Sequence, residues 1–225
     1  MEEIRNERLD AIVSTFPFGA APQVCRDSAI RTYTVITDYA LHARWLHPFT
    51  DKYYVATEEL KEQIVNRGVP RNCIEVSGIP IREAFYEEEP LRGNGFSESL
   101  DMKRQTVLLL AGSFHVDREI IETVNAILAL GGCQLAVVCG RNEKLRMKLR
   151  EHCPAQPDLH IFGFVENMHE LMAVSTCIVT KAGGLTLSEA LVLRIPLFIF
   201  SRSAGRKERT LCSSSARRWL SSRAA

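Results

Sequence analysis

The sequence predicts an α/β chain of two doubly wound lobes with parallel sheets, and three observations predict it. Short β-rich apolar runs alternate with amphipathic helical stretches along most of the chain. The alternation occurs twice, before residue 79 and after residue 105, with a segment of different character between. Several apolar runs end on glycine just before a helix opens. Strands separated by helical stretches need crossover connections, and crossovers build parallel sheets. Ligands of such sheets sit beyond the carboxyl ends of the strands.

The elements justify this in order. Ala11–Phe16 reads as a buried strand, broken by Pro17 and Gly19. Thr32–Thr37 and Tyr53–Thr57 are the next strands. Glu58–Arg67 is a helix with Leu60 and Ile64 on one face and Gly68 as its stop. Cys73–Ser77 is a fourth strand, ended by Gly78 and Pro80. Residues 79–105 hold Glu87-Glu88-Glu89-Pro90 and Gly93-Asn94-Gly95 with little apolar periodicity, and read as a linker plus a surface segment. The second winding has strands at Thr106–Ala111, Gln134–Cys139, Leu159–Phe162, Cys177–Thr180 and Pro196–Phe200. Its helices are Asp117–Leu130, Asn142–His152, Asn167–Val174 and Leu185–Leu193. The expected organisation is therefore a first lobe over 1–78, a linker over 79–105, a second lobe over 106–200 and a tail over 201–225.

Composition narrows the function classes. At 225 residues, 46% hydrophobic and 24% charged, the chain has the apolar surface for a core, which argues against disorder as a whole. A formal net charge of +1 gives no reason to expect a nucleic-acid partner. That charge is uneven: residues 201–225, with seven serines and six arginines, carry a net +6, and the rest a net −5. The seven cysteines contain no C-x-x-C pair, and several lie inside apolar runs. This predicts neither a disulfide framework nor a zinc site, and points to a reducing cytosol. No signal peptide is visible behind the acidic Met1-Glu2-Glu3 start, and no apolar run approaches the roughly 18 residues of a spanning helix.

The strongest chemical signal is Lys181-Ala182-Gly183-Gly184-Leu185-Thr186-Leu187-Ser188-Glu189-Ala190. An apolar strand ends, two glycines follow and a helix begins. Glycines allow close backbone approach, and a helix N-terminus offers unpaired N–H groups and a favourable dipole to a diphosphate. Glu189, one turn on, would accept from ribose hydroxyls. Thr186 and Glu189 also stand at the spacing of a capping box, which would make them purely structural. Asp38, His42 and His47 follow a strand end and could orient an acceptor hydroxyl. Alternatively, Asp38 caps a helix and Trp45 is core. Asn142 likewise has a reading as a helix cap.

The run KAGGLTLSEALVLRIP within Thr180–Pro196 resembles the donor-nucleotide motif of glycosyltransferase family 28. That family holds the MurG-type transferase, plant galactolipid synthases and bacterial diacylglycerol glucosyltransferases. Phe162-Gly163-Phe164-Val165-Glu166-Asn167-Met168 is similar to the family loop whose backbone reads uracil. Ala111-Gly112-Ser113-Phe114-His115 is similar to its first glycine loop, and Val138-Cys139-Gly140-Arg141-Asn142 to its second strand and loop. In the first lobe, Ser14–Gly19, Thr34–Asp38, Trp45–Pro48 and Asp51–Thr57 resemble the diacylglycerol glucosyltransferases in particular, and Val76–Arg82 resembles the start of the interlobe linker. The matches span roughly residues 9–200.

The resemblance implies a GT-B architecture, two Rossmann-like lobes, both incomplete. It implies Gly183, Gly184, Thr186, Glu189, Phe164, Val165, Ser113 and Arg141 as the UDP-binding residues. On the acceptor and lipid side it implies His42, Trp45 and His47, with Asp38 as the candidate catalytic carboxylate. The implied reaction is a metal-independent, inverting transfer of a hexose, glucose, from a UDP-sugar to diacylglycerol or glycosyl-diacylglycerol. No cofactor or metal is expected beyond the donor itself, in keeping with the lack of a D-x-D motif. The expected location is the cytoplasmic face of the cell membrane, held peripherally. A MurG-like transferase with a polyprenyl-linked acceptor, a UDP-sugar 2-epimerase and a non-catalytic nucleotide-sugar-binding subunit are the competing readings. The family's usual base lies in a Gly/His loop not found before the first strand, so the chain reads as truncated there. Its basic tail reads as out of frame from about residue 201, and the chain itself as inactive.

Overall fold

A computed structural model describes residues 9–17, 19–86, 95–112, 117–153 and 156–199. The expectations for the 201–225 tail, for Glu87–Pro90, and for Ser113, Phe114 and His115 lie outside the described residues. The chain divides into two compact units, Met1–Ile81 and Arg82–Ala225.

The first unit carries a four-stranded, wholly parallel sheet in sequential order: β1 (Ala11–Ser14), β2 (Arg31–Val35), β3 (Lys52–Val55) and β4 (Ile74–Val76). β2 alternates in burial, with Thr32 and Thr34 inward, as a strand packed on one face must. Helix α1 (Ala20–Cys25) follows β1, in a stretch read from sequence as a break. Pro22 lies in its first turn, where a missing N–H costs no helical bond. Helix α2 (Glu58–Val65) starts at Thr57, whose hydroxyl accepts from Leu60 N at 3.2 Å. Its Leu60 and Ile64 pack with Tyr53, Val55 and Ile74 into the core of this unit. Gly68, at φ 90°, supplies the left-handed stop behind it.

The second unit carries five parallel strands in the order β7-β6-β5-β8-β9. They are β5 (Gln105–Leu110), β6 (Cys133–Val138), β7 (Leu159–Phe162), β8 (Cys177–Thr180) and β9 (Leu197–Ile199). β6 is buried at all six positions, the signature of a strand covered on both faces. Helices α3 (Asp117–Leu128), α4 (Glu143–His152), α5 (Met168–Ala173) and α6 (Gly184–Val192) complete the winding. Ile120, Val124 and Ile127 line one face of α3, and Leu145 and Leu149 one face of α4, against Val107, Leu109, Leu135 and Val137.

Residues read from sequence as a surface segment are partly core here: Phe85 and Leu100 are buried. Two isolated anchors produce no periodicity, so burial could not be read from pattern. The winding reverses between β5 and β8. The chain builds outward through β6 and β7, then returns to the other side of β5, which opens a crevice at the carboxyl ends of β5 and β8.

Candidate functional site

Both glycine loops of the second unit arise at that crevice. β5 runs into Ala111 and Gly112, and Ala111 N donates to Val138 O at 2.8 Å. A Cβ on Gly112 would stand 2.9 Å from the Cys139 carbonyl oxygen, so only glycine fits this contact. The neighbouring strand end is tied on in turn, with Cys139 N donating to Phe162 O at 2.9 Å and Gly140 N to Gly163 O at 3.1 Å. Gly140 takes φ 58° to make the turn. These ties bring Arg141 and Phe164 together, the guanidinium carbon 5.1 Å from the ring centroid. Phe164 is 60% exposed, and Val165 beside it is half-buried. Asn142 accepts from Leu145 N at 3.1 Å and caps α4, so its structural reading holds.

β8 ends at Thr180, and α6 begins after Gly183, which serves as its N-cap without any side-chain cap bond. The first-turn N–H groups are therefore not covered by a capping side chain, and a Cβ on Gly183 would meet nothing within 4 Å. Open space before a helix N-terminus is what an anion needs. Gly184 is buried inside the first turn, and Thr186 is half-buried. The capping-box alternative for Thr186 and Glu189 does not hold, because the cap is Gly183 and both residues lie inside the helix.

Glu189 is partly buried, and this burial pushes its carboxyl above the ordinary carboxylate range, opposed by the charge of Arg82. Arg82 also donates from Nη1 to Glu166 O at 3.2 Å. Sequence reasoning did not single out Arg82, because nothing in its spacing connects it with either partner.

In the first unit the candidate residues are engaged separately. Trp45 Nε1 donates to Asp38 Oδ2 at 2.8 Å. Trp45 is 3% exposed, so of its two readings the core one holds, and the lipid-side placement that the resemblance implied for it does not. Apolar contact with the cluster of Ile36, Tyr53, Val55 and Leu60 buries the indole, and Asp38 satisfies its one N–H. His42 is exposed, and its Nδ1 accepts from Arg44 N at 3.2 Å at the start of a 3₁₀ turn over Ala43–Trp45. His47 Nδ1 accepts from Phe49 N at 3.3 Å, and its backbone N–H and C=O both bond the Tyr53 hydroxyl at 2.8 Å. His47, Arg44 and Trp45 meet Phe16 and Pro17 around a small recess whose wall includes Thr50. Thr50 Oγ1 is buried and has no hydrogen-bond partner among the described residues.

Residues 1–81 match the family described as monogalactosyldiacylglycerol (MGDG) synthase, and residues 106–208 match the glycosyltransferase family 28 C-terminal domain. The chain is 35% identical over 204 residues to a processive diacylglycerol beta-glucosyltransferase of Bacillus cereus (strain B4264), covering 89% of this chain and 53% of that protein. It is 37% identical over 204 residues to the protein of the same name from Staphylococcus carnosus (strain TM300), covering 89% and 52%. It thus spans about half the length of these relatives. Among solved structures it resembles the S. aureus MnaA-UDP co-structure, with a TM-score of 0.70 and 13% identity over 88% of this chain and 60% of that one. It also resembles the pneumococcal O-GlcNAc transferase GtfA in complex with UDP and GlcNAc, with a TM-score of 0.58 and 14% identity over 99% and 50%. At these identities the likeness is one of fold, two parallel α/β units of the GT-B kind.

Proposed function

We propose, for a chain that belongs to the glycosyltransferase family 28 and MGDG synthase family, transfer of glucose from a UDP-sugar to diacylglycerol or its glycosylated product. The observation that carries this reading is the pairing of two glycine loops at the reversal between β5 and β8, beside the uncapped N-terminus of α6. The diphosphate of the donor sits against Gly183, Gly184 and Thr186, with Ser113 contributing from the first glycine loop. Glu189 accepts from the ribose hydroxyls. The backbone of Phe164 and Val165 meets the uracil, flanked by Arg141.

In the reaction an acceptor hydroxyl oxygen attacks C1 of the sugar from the face opposite the diphosphate. The new C1–O bond forms as the bond from C1 to the β-phosphate oxygen breaks, and the electron pair leaves with UDP. Inversion at C1 follows from this single displacement. The first-turn N–H groups of α6 stabilise the departing charge, a role that needs no cation in this reading. The acceptor proton passes to a base, for which Asp38 is the candidate within this chain. On the acceptor side the candidates are His42 and His47. The names of the sequence relatives favour diacylglycerol over a polyprenyl-linked acceptor or an epimerase reaction. Among the described residues no helix is long and apolar enough to cross a membrane. Contact with the cytoplasmic membrane surface is proposed as peripheral, since the acceptor is a lipid.

Calorimetric titration with UDP tests the donor site. Binding that weakens at least about tenfold in Glu189→Ala is expected, the loss of a charge-assisted hydrogen-bond acceptor. Equal binding by the variant, or none by the unaltered chain, removes the assignment.

A further inference from the structure

Tyr53 lies in β3 and is 1% exposed, and its hydroxyl stands where a partner strand would for one residue of the preceding loop. It donates to His47 O and accepts from His47 N, both at 2.8 Å. A residue in a sheet exchanges such a pair of bonds with its neighbour, and here one buried hydroxyl holds the peptide groups on both sides of His47. The ring is fixed as well. Its Nδ1 accepts from Phe49 N at 3.3 Å, which leaves the proton of the neutral ring on Nε2. Its Cδ2–Nε2 edge lies against Gly19, where an added Cβ would stand 2.9 Å from Cδ2 and 3.6 Å from Nε2. The Phe49 ring packs beside it, with centroids 5.5 Å apart and planes at 59°. His47 and Gly19 both line the small recess that Arg44, Trp45 and Thr50 share, and the buried Thr50 Oγ1 has no partner among the described residues. A half-buried histidine held at its backbone, at Nδ1 and along one edge presents the Nε2–H as its remaining polar group.

We infer that the Nε2–H of His47 donates to an ester carbonyl of the acylglycerol acceptor, and that Tyr53 is the positioning residue that holds His47 for this contact. This rests on the diacylglycerol reading of the first unit. The attacking hydroxyl must lose its proton to a base, and a nitrogen that already carries a proton cannot take it. An ester carbonyl only accepts, and diacylglycerol has such carbonyls beside its free hydroxyl. The two tasks therefore separate: Asp38 remains the candidate for the proton, and His47 orients the lipid. The contact also carries a specificity. A dialkylglycerol of the same chain length has ether oxygens in place of the esters and offers this donor no carbonyl, so the site discriminates between them by a hydrogen bond made or left unmade.

The test titrates the 225-residue chain with dioctanoylglycerol and with the matching dioctyl ether, and reads the nitrogen chemical shifts of the imidazoles, which distinguish the two tautomers. The unaltered chain is expected to show His47 with its proton on Nε2, to shift that nitrogen on binding, and to bind the ester roughly three- to tenfold more tightly than the ether. His47→Ala is expected to bind both lipids alike. His47→Gln, whose amide can place an N–H near the Nε2 position, keeps part of the preference. Tyr53→Phe and Gly19→Ala reach the ring by separate routes, one releasing its backbone and one crowding its edge, and each is expected to remove most of the preference. Thermal unfolding of each unliganded variant establishes that the fold is kept. A role of Tyr53 in stability alone would lower its unfolding midpoint and leave the tautomer and the preference as they are, which overturns the positioning role. If Tyr53→Phe does not fold, Gly19→Ala and His47→Gln decide the matter. Equal binding of ester and ether by the unaltered chain, or a ring with its proton on Nδ1, overturns the inference and leaves the diacylglycerol reading standing. Binding of neither lipid removes that reading and this role with it.

Discussion

The guanidinium of Arg141 stands 5.1 Å from the centre of the Phe164 ring, although the two residues follow different strands. The contact exists because the ends of β6 and β7 are tied through Cys139 to Phe162 and Gly140 to Gly163. Both side chains are exposed, so the pair adds little to stability, and in the proposed donor site it flanks the uracil. In a double-mutant cycle on UDP binding, Arg141→Ala and Phe164→Ala are each expected to weaken affinity roughly threefold to tenfold. Their coupling energy is expected at about 0.5–1 kcal/mol. Strict additivity would mean that the stacked pair does not act together on the nucleotide.

Trp45 and Asp38 form the corresponding pair in the first unit, but here the contact is structural at one end. Replacing Trp45 with Phe keeps most of the ring and removes the donor, leaving a part-buried carboxylate oxygen without its partner. Chemical denaturation is expected to show a loss of about 1–3 kcal/mol. Asp38→Asn retains an oxygen acceptor for the indole and is expected to cost less. If Asp38 is the base, the Asn variant loses transfer while remaining folded. A folded Asn variant with full transfer activity, in a protein that has the activity to lose, would leave Asp38 only its bond to Trp45.

The winding of both sheets was legible because apolar strands and helices alternate at the lengths that crossovers demand. The start of α4 was legible in Asn142, and the stop of α2 in Gly68. Helix α1 was not, since Pro17 and Gly19 read as a break, yet the chain turns helical directly after them, with Pro22 in a first turn that tolerates it. The spacing of Thr186 and Glu189 fits a capping box, and only the observed start at Gly184 shows that the pair lies within the helix. Arg82 was illegible for a different reason. Its bond to Glu166 spans 84 positions, and no local pattern encodes a contact that exists only after the sheet has closed.

The glycines of the two loops separate packing from ligand space. At Gly112 an added methyl would stand 2.9 Å from the Cys139 oxygen and 3.2 Å from its carbonyl carbon, both backbone atoms that cannot swing aside. Gly112→Ala is expected to lower stability by about 1–3 kcal/mol. At Gly183 the same methyl meets nothing within 4 Å, and the φ of −108° suits any residue. Gly183→Ala should cost no more than about 1 kcal/mol, as a poorer N-cap, but weaken UDP at least about tenfold, because the methyl fills the approach to the α6 N–H groups. Unfolding midpoints and UDP titrations of the two variants check the contrast. Equal effects of both on stability would put Gly183 among the packing residues.

Glu189, the proposed ribose acceptor, gives the contrast in its sharpest form, because its burial works against the unliganded fold. Burial is the leading cause of its raised carboxyl pKa, and Arg82 only partly offsets it. A group whose pKa is raised by folding favours the folded state most at pH below its unfolded value, the ordinary 4.5 of a glutamate. That advantage is lost as pH rises through the folded value, and at neutral pH the buried charge is a standing cost. Glu189→Gln keeps the shape and removes the charge. It is therefore expected to raise the unfolding midpoint of the unliganded chain at pH 7, to leave it nearly unchanged at pH below about 4 where the carboxyl is protonated in both states, and to weaken UDP. Thermal scans across this pH range, with and without UDP, follow all three effects. A lower midpoint at pH 7 would mean that Arg82 overcompensates the burial and that Glu189 is held as a structural ion.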